Sequence, residues 1–248
     1  MDQRAGTGVG DWVPLVRQIG TGSRHGTGMN LIDAAFDLLL QGVCPGCGLP
    51  GRGLCPACVR LVGAGRIGLR YRPGLHTPLW SAGEYAHPLP RIISQAKDHH
   101  RWDAIPVLGR RLALAVAGLV DDLKLAGPGL LVPFPSTDRA VRERGLDFTQ
   151  ALAAAACGHV RRIGVDVRPY RLLTHVRAVD DQGGLTSAQR QENLWESLAA
   201  VGQPAGWIIL ADDVVTTGAS LREGVRALCA VGHPPVGLAT VAATTLRA

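Results

Sequence analysis

The sequence predicts an α/β fold, a parallel sheet flanked by helices, with a small cysteine module ahead of it. Three observations carry this. From residue 130 onward, short apolar runs alternate with helical patterns. Those runs lack polar alternation, as strands covered on both faces do. And four of the six cysteines fall within 44–58, upstream of the alternating region.

Taken in order, residues 1–28 are rich in glycine and poor in apolar periodicity, which predicts a disordered extension or a start codon set too far upstream. Met29 opens a better pattern: Leu31, Ile32, Phe36, Leu38, Leu39 and Leu40 make a short amphipathic helix. With the cysteines this gives a unit over 29–62. Residues 63–73 read as a basic, glycine-containing linker, and the main domain is assigned to 75–248. Within it the expected elements are a strand over 79–85, helices over 92–99 and 105–122, a strand over 130–132 and a helix over 149–162. Further strands follow over 165–173, 207–211 and 236–243, with a helix over 220–231.

Composition bounds the function classes. The 248 residues allow one large core or a core plus an appended module. The longest apolar helix candidate, 112–120, is too short to cross a bilayer, and no basic patch is followed by an apolar run at the N-terminus. The expectation is a cytoplasmic protein with no membrane insertion. The net charge of +6 suits a polyanionic partner, but aromatics are only 4%, little material for stacking bases. Only Lys97 and Lys124 are lysines; the other basic residues are arginines.

Two C-x-x-C knuckles, Cys44-Pro-Gly-Cys47 and Cys55-Pro-Ala-Cys58, let paired sulfurs face one metal ion. Four thiolates in tetrahedral reach suit a structural zinc ion with no position left for catalysis. A redox dithiol and an iron–sulfur site are the competing readings. Cys157 and Cys229 are expected to be small buried residues.

The segment 207–220 is the most informative. An apolar strand delivers Asp212 and Asp213 at the sheet edge where open α/β sheets bind ligands. Val214, Val215, Thr216, Thr217, Gly218, Ala219 and Ser220 then lead into a helix. Its first N–H groups and dipole attract an anion, Gly218 permits a close approach, and three hydroxyls can donate to phosphate oxygens. The carboxylates cannot serve that phosphate. They suit vicinal sugar hydroxyls or a bridging Mg²⁺. The plain alternative, a turn with Ser220 as N-cap, leaves two acids at the end of a buried strand without a purpose. No G-x-x-x-x-G-K-[ST] is present.

This stretch resembles the phosphoribosyl pyrophosphate motif of type I phosphoribosyltransferases: apolar run, two acids, two apolar residues, Thr-Thr-Gly. The resemblance implies that family's fold. It also implies that Asp212 and Asp213 bind the ribose 2′- and 3′-hydroxyls and that the loop to Ser220 binds the 5′-phosphate. Purine-salvage members with a carboxylate base on this loop place it at the position of Thr216, so 6-oxopurine salvage is not implied.

Other segments are similar to the ComF branch, competence-associated proteins with a cysteine module before this domain. They are Tyr85, Arg91-Ile-Ile and Lys97; Val132-Pro-Phe-Pro135 with Arg142-Glu-Arg-Gly145; and Gln182, Leu185, Arg190 and Asn193. The pattern departs at Leu146-Asp-Phe-Thr-Gln150, where the branch has aromatic-Asn-Gln. The resemblance implies two functions. One is Mg²⁺-assisted transfer of a phosphoribosyl group to an unidentified acceptor, with Lys97, Arg142, Arg144 and Arg190 as possible pyrophosphate ligands. The other is a non-catalytic DNA-uptake or recombination factor that binds single-stranded DNA and partner proteins. Physically, Arg139, Arg142 and Arg144 read either as forked donors for pyrophosphate or as a solvated helix start. The polar stretch 177–191 reads as a closing lid or a surface loop. Acceptor choice is expected to lie in the hood, around 75–105.

Overall fold

The computed structural model describes residues 42–65, 67–177 and 194–245. The helices are α1 (Pro56–Gly63), α2 (Leu89–Asp98), α3 (Ile105–Asp122), α4 (Asp138–Arg144), α5 (Phe148–Arg161) and α6 (Ala219–Ala230). The strands are β1 (Gly68–Arg70), β2 (Leu79–Ser81), β3 (Gly129–Pro133), β4 (Val167–Pro169), β5 (Leu173–His175), β6 (Leu198–Ala200), β7 (Trp207–Val215) and β8 (Gly237–Ala243).

Six strands form one sheet in the order β1-β2-β8-β7-β3-β4, and every pairing except β1 with β2 is parallel. The expected mostly parallel sheet flanked by helices is therefore present. Its central strands read as unbroken apolar runs because both faces are covered: all of β8 and β3 is buried. On one face, Ile209, Ala211, Ala239 and Val241 pack against α2, α3 and α5. On the other, Ile208, Leu210 and Leu238 pack against α6 and the antiparallel β5–β6 pair.

Helix α3 is buried along most of its length, and its two glycines set the spacing. A Cβ at Gly109 would lie 2.4 Å from the Ala155 Cβ of α5, and one at Gly118 would lie 2.3 Å from the Trp80 ring on β2. Helix α5 starts at Asp147, whose carboxylate accepts the Gln150 N–H at 3.2 Å.

Four expectations are corrected. The strand over 165–173 is two strands in different sheets, β4 ending at Pro169 and β5 opening at Leu173. The linker over 63–73 contains edge strand β1, and Arg72 behind it is only 3% exposed. The strand at Trp207 runs on to Val215, so both aspartates sit within it. Cys229 is exposed, whereas Cys157 is buried as expected.

Among the described residues, no helix is long and apolar enough to cross a membrane. The expected extension over 1–28, the helix after Met29, and Gln182, Leu185, Arg190 and Asn193 lie outside the described residues.

Candidate functional site

The loop between β7 and α6 is shaped from behind by two arginines. Arg72 donates from Nε to the Thr216 carbonyl at 2.6 Å and from Nη2 to the Val215 carbonyl at 3.3 Å; Nη2 also reaches the Thr244 carbonyl. Arg222 donates from Nη1 to the carbonyls of Thr217 at 3.0 Å and Pro73 at 2.8 Å. A trans peptide points its C=O and N–H in opposite directions. Three successive carbonyls held on the arginine side therefore turn the N–H groups of Thr216, Thr217 and Gly218 the other way. Gly218 adopts φ +83°, and a Cβ there would come within 2.9 Å of Leu75 Cδ1. Glycine is required on both counts.

Gly218 is also the N-cap of α6, and no side chain caps the helix. The helix begins at Ala219, one residue before the expected start at 220, and the plain alternative of Ser220 as N-cap is not what the structure shows. With no side-chain cap, the first-turn N–H groups are left for a ligand, and the helix dipole adds partial positive charge. Asp212 and residues 214–221 line a small pocket. Loop, helix start and first acid thus face one space.

The two aspartates adjoin near the end of the strand, and their side chains interact with each other as well as with Lys97. Asp213 shares the parity of Ile209 and Ala211 and meets Lys97 from the last turn of α2, with Nζ 2.7 Å from its carboxylate. The Lys97 ammonium also lies 5.4 Å from the centre of the Phe148 ring. Asp212 accepts the Asp213 N–H at 2.8 Å and is one of the residues lining the pocket.

Electrostatics separate the pair. Burial and the neighbouring Asp213 charge push Asp212 well above the usual carboxylate range. Burial works the same way on Asp213, but Lys97 overcomes it and holds that carboxyl below its ordinary value. Lys97 is raised in turn: burial favours the neutral amine, and the Asp213 charge and hydrogen bond outweigh it. Tyr85 is raised by burial and by the Asp213 charge.

The structure thus brings Asp212, Val214, Val215, Thr216, Thr217, Gly218, Ala219 and Ser220 around one pocket, with Asp213 beside Asp212 and paired with Lys97. Arg144 is half-buried at the end of α4, and its charge opposes that of Lys97; Arg142 is exposed on the same helix. Arg139 pairs with Glu143 at 2.7 Å along the helix surface. Arg190 lies outside the described residues. Sequence reasoning missed Arg72 and Arg222 as loop braces, because neither falls in a motif and their targets are backbone carbonyls.

No family model and no curated protein matches the chain. Among solved structures, one similar chain is a hypoxanthine phosphoribosyl transferase of Trypanosoma cruzi, at TM-score 0.31 and 15% identity. The match covers 56% of this chain and 63% of that one, less than two thirds of its length.

The four cysteines form a second centre. The sulfurs of Cys44, Cys47, Cys55 and Cys58 all lie within 4.8 Å of one another, and those of Cys47 and Cys55 are 3.7 Å apart. Four sulfurs each about 2.3 Å from a tetrahedral zinc ion stand roughly 3.8 Å apart, so the cluster is compatible with a structural zinc site. Backbone N–H groups support it: that of Cys55 donates to Cys44 Sγ at 3.3 Å and that of Cys58 to Cys55 Sγ at 3.5 Å. Burial opposes ionisation of Cys44, but the N–H groups of Cys55, Cys47 and Gly46 overcome it and bring the thiol down to about 6. Burial and the neighbouring sulfurs push Cys58 up to about 12. The knuckle is tied to the segment after α2, where Arg101 donates to the Val43 carbonyl at 2.6 Å and grips Asp103 with two bonds.

A cation bridging both aspartates would share Asp213 with the Lys97 ammonium, which lies 2.7 Å from that carboxylate.

Proposed function

We propose that the chain binds phosphoribosyl pyrophosphate or a related ribose phosphate at the β7–α6 loop and transfers its phosphoribosyl group, in the manner of type I phosphoribosyltransferases. The arginine-pinned carbonyls carry this reading: they turn a run of N–H groups into a pocket that Asp212 shares. A phosphate monoester accepts from those N–H groups and from the hydroxyls of Thr216, Thr217 and Ser220. The sugar's diol donates to the aspartates. Asp212, being hard to ionise in the empty pocket, gains most from hydroxyl donors that stabilise its charged form.

In the proposed reaction the bond from ribose C1 to pyrophosphate oxygen breaks, and a bond forms from C1 to a nucleophilic atom of the acceptor, which loses a proton. Pyrophosphate leaves with the bonding electrons. Magnesium belongs to the substrate here, arriving on pyrophosphate oxygens. Arg144 and Arg142 at the end of α4 are the protein cations assigned to the leaving group. The ComF-like segments and the cysteine cluster support placing the chain near that branch, with a structural zinc ion in the four-cysteine site.

Pyrophosphate release from phosphoribosyl pyrophosphate and Mg²⁺, measured with a panel of acceptors, tests the reading. Release that is lost in Asp212→Asn/Asp213→Asn supports it. No release with any acceptor, alongside salt-sensitive single-stranded DNA binding, favours the uptake or recombination role instead.

A further inference from the structure

We infer that Lys97 is the resident counter-cation of the acid pair, so that the site receives a sugar diol without a divalent ion between its carboxylates. This deepens, and rests on, the sugar-phosphate reading above. The Lys97 Nζ sits 2.7 Å from Asp213, whose side chain is 9% exposed. The lysine is not a passing surface partner. Leu89, Ile92, Ile93 and Ala96 of the same helix are buried in the core, so a fixed element delivers the ammonium, and the Phe148 ring lies against it.

The charges around it explain the role. Asp212 and Asp213 adjoin on the strand, and Asp98, Tyr85 and Arg144 complete the ionisable surroundings of Lys97 and Tyr85. A divalent cation on Asp213 would have to displace or crowd an ammonium already in hydrogen-bond contact. A neutral diol does not: each hydroxyl donates a hydrogen bond to a carboxylate oxygen that the lysine leaves open. Lys97 thereby selects a hydroxyl-bearing ligand over a bare cation and keeps Asp213 ionised to receive it. It acts as a positioning residue and takes no part in bond making.

The test uses zinc-loaded full-length chain in chelator-free buffer and Mn²⁺ alone as probe, read by electron paramagnetic resonance. Wild type is expected to show no Mn²⁺ site that depends on Asp213. Lys97→Met is expected to gain at least about tenfold in Mn²⁺ affinity, and Lys97→Met/Asp213→Asn to lose that gain. An Asp213-dependent Mn²⁺ site already present in wild type, or no gain in Lys97→Met, overturns the inference. Should Lys97→Met not fold, wild type decides alone. Its affinity for ribose 5-phosphate should be the same with and without Mg²⁺, and a dependence of about tenfold or more refutes the role. If ribose 5-phosphate binds under neither condition, the sugar-phosphate reading fails while the Mn²⁺ arms still judge Lys97.

Discussion

Replacing Arg72 with methionine removes the guanidinium from behind the loop while keeping much of the side chain's bulk. The arginine is 3% exposed and holds the carbonyls of Val215, Thr216 and Thr244, three groups from two chain segments. Hydrogen bonds to a charged donor contribute roughly 1.5–3 kcal/mol each, which gives a gross loss of about 4–9 kcal/mol. Part is returned because the buried guanidinium no longer needs to be desolvated, a cost also visible in its lowered pKa. The net expectation is a destabilisation of about 3 kcal/mol, read from urea unfolding followed by circular dichroism. The stronger consequence concerns geometry. The Val215 carbonyl keeps the Thr244 N–H at 3.0 Å, but the Thr216 carbonyl is released, so its peptide can rotate and the N–H array loses its common direction. Ribose 5-phosphate affinity by calorimetry should fall by at least about tenfold, measured where the variant remains folded. A lysine at this position supplies one point of charge and should restore the affinity only in part. An Arg72→Met protein that folds and binds ribose 5-phosphate as wild type does would refute the claim that pinned carbonyls organise the loop.

Three further outcomes are expected. Asp212 has its folded-state pKa raised, so it binds its proton more tightly folded than unfolded; its contribution to stability falls as pH rises through and above the ordinary carboxylate range. Asp212→Asn should therefore raise the urea midpoint near neutral pH, lose that advantage in acid, and weaken sugar-phosphate binding throughout; a midpoint difference that does not change with pH would contradict this. Cys58→Ser should release the metal to a chromogenic chelator and lower Tm by about 6–12 °C, taking a loss of roughly 3 kcal/mol in a domain of this size; an unchanged Tm with no metal in the wild type would remove zinc from the account. Gly118→Ala puts a methyl group 2.3 Å from the Trp80 ring and should cost about 1–3 kcal/mol in urea unfolding, despite alanine's better helix propensity.

The sheet was legible in the sequence wherever both faces are covered. The runs at 130–132 and 207–211 lie within the observed β3 and β7, and that at 236–243 exceeds β8 by one residue, because burial on two sides leaves a continuous apolar signature. Helix α3 matched residue for residue, its apolar stretch being long and proline-started. Shorter elements were harder to read. β1 has exposed Leu69 beside glycine and arginine and looks like a linker until β2 supplies its partner. The run over 165–173 hides a break because Pro169 and Tyr170 resemble strand ends as much as strand interiors. At the site, the anion loop and the acids were readable because their chemistry is local. What holds them was not. Arg72 lies 144 residues before Thr216, and Lys97 reaches Asp213 from another helix. Such long-range pairings leave no periodic trace in one sequence. Ser220 suits a cap by residue type, yet Gly218 in the left-handed region caps the helix two residues earlier.

The central claim is decided most directly by a crystal structure with ribose 5-phosphate bound. The phosphate is expected within hydrogen-bond distance of the N–H groups of Thr217, Gly218 and Ala219, the diol on Asp212 and Asp213, and Lys97 still in contact with Asp213. Phosphate held at the arginines of α4 with the β7–α6 loop vacant would contradict the account.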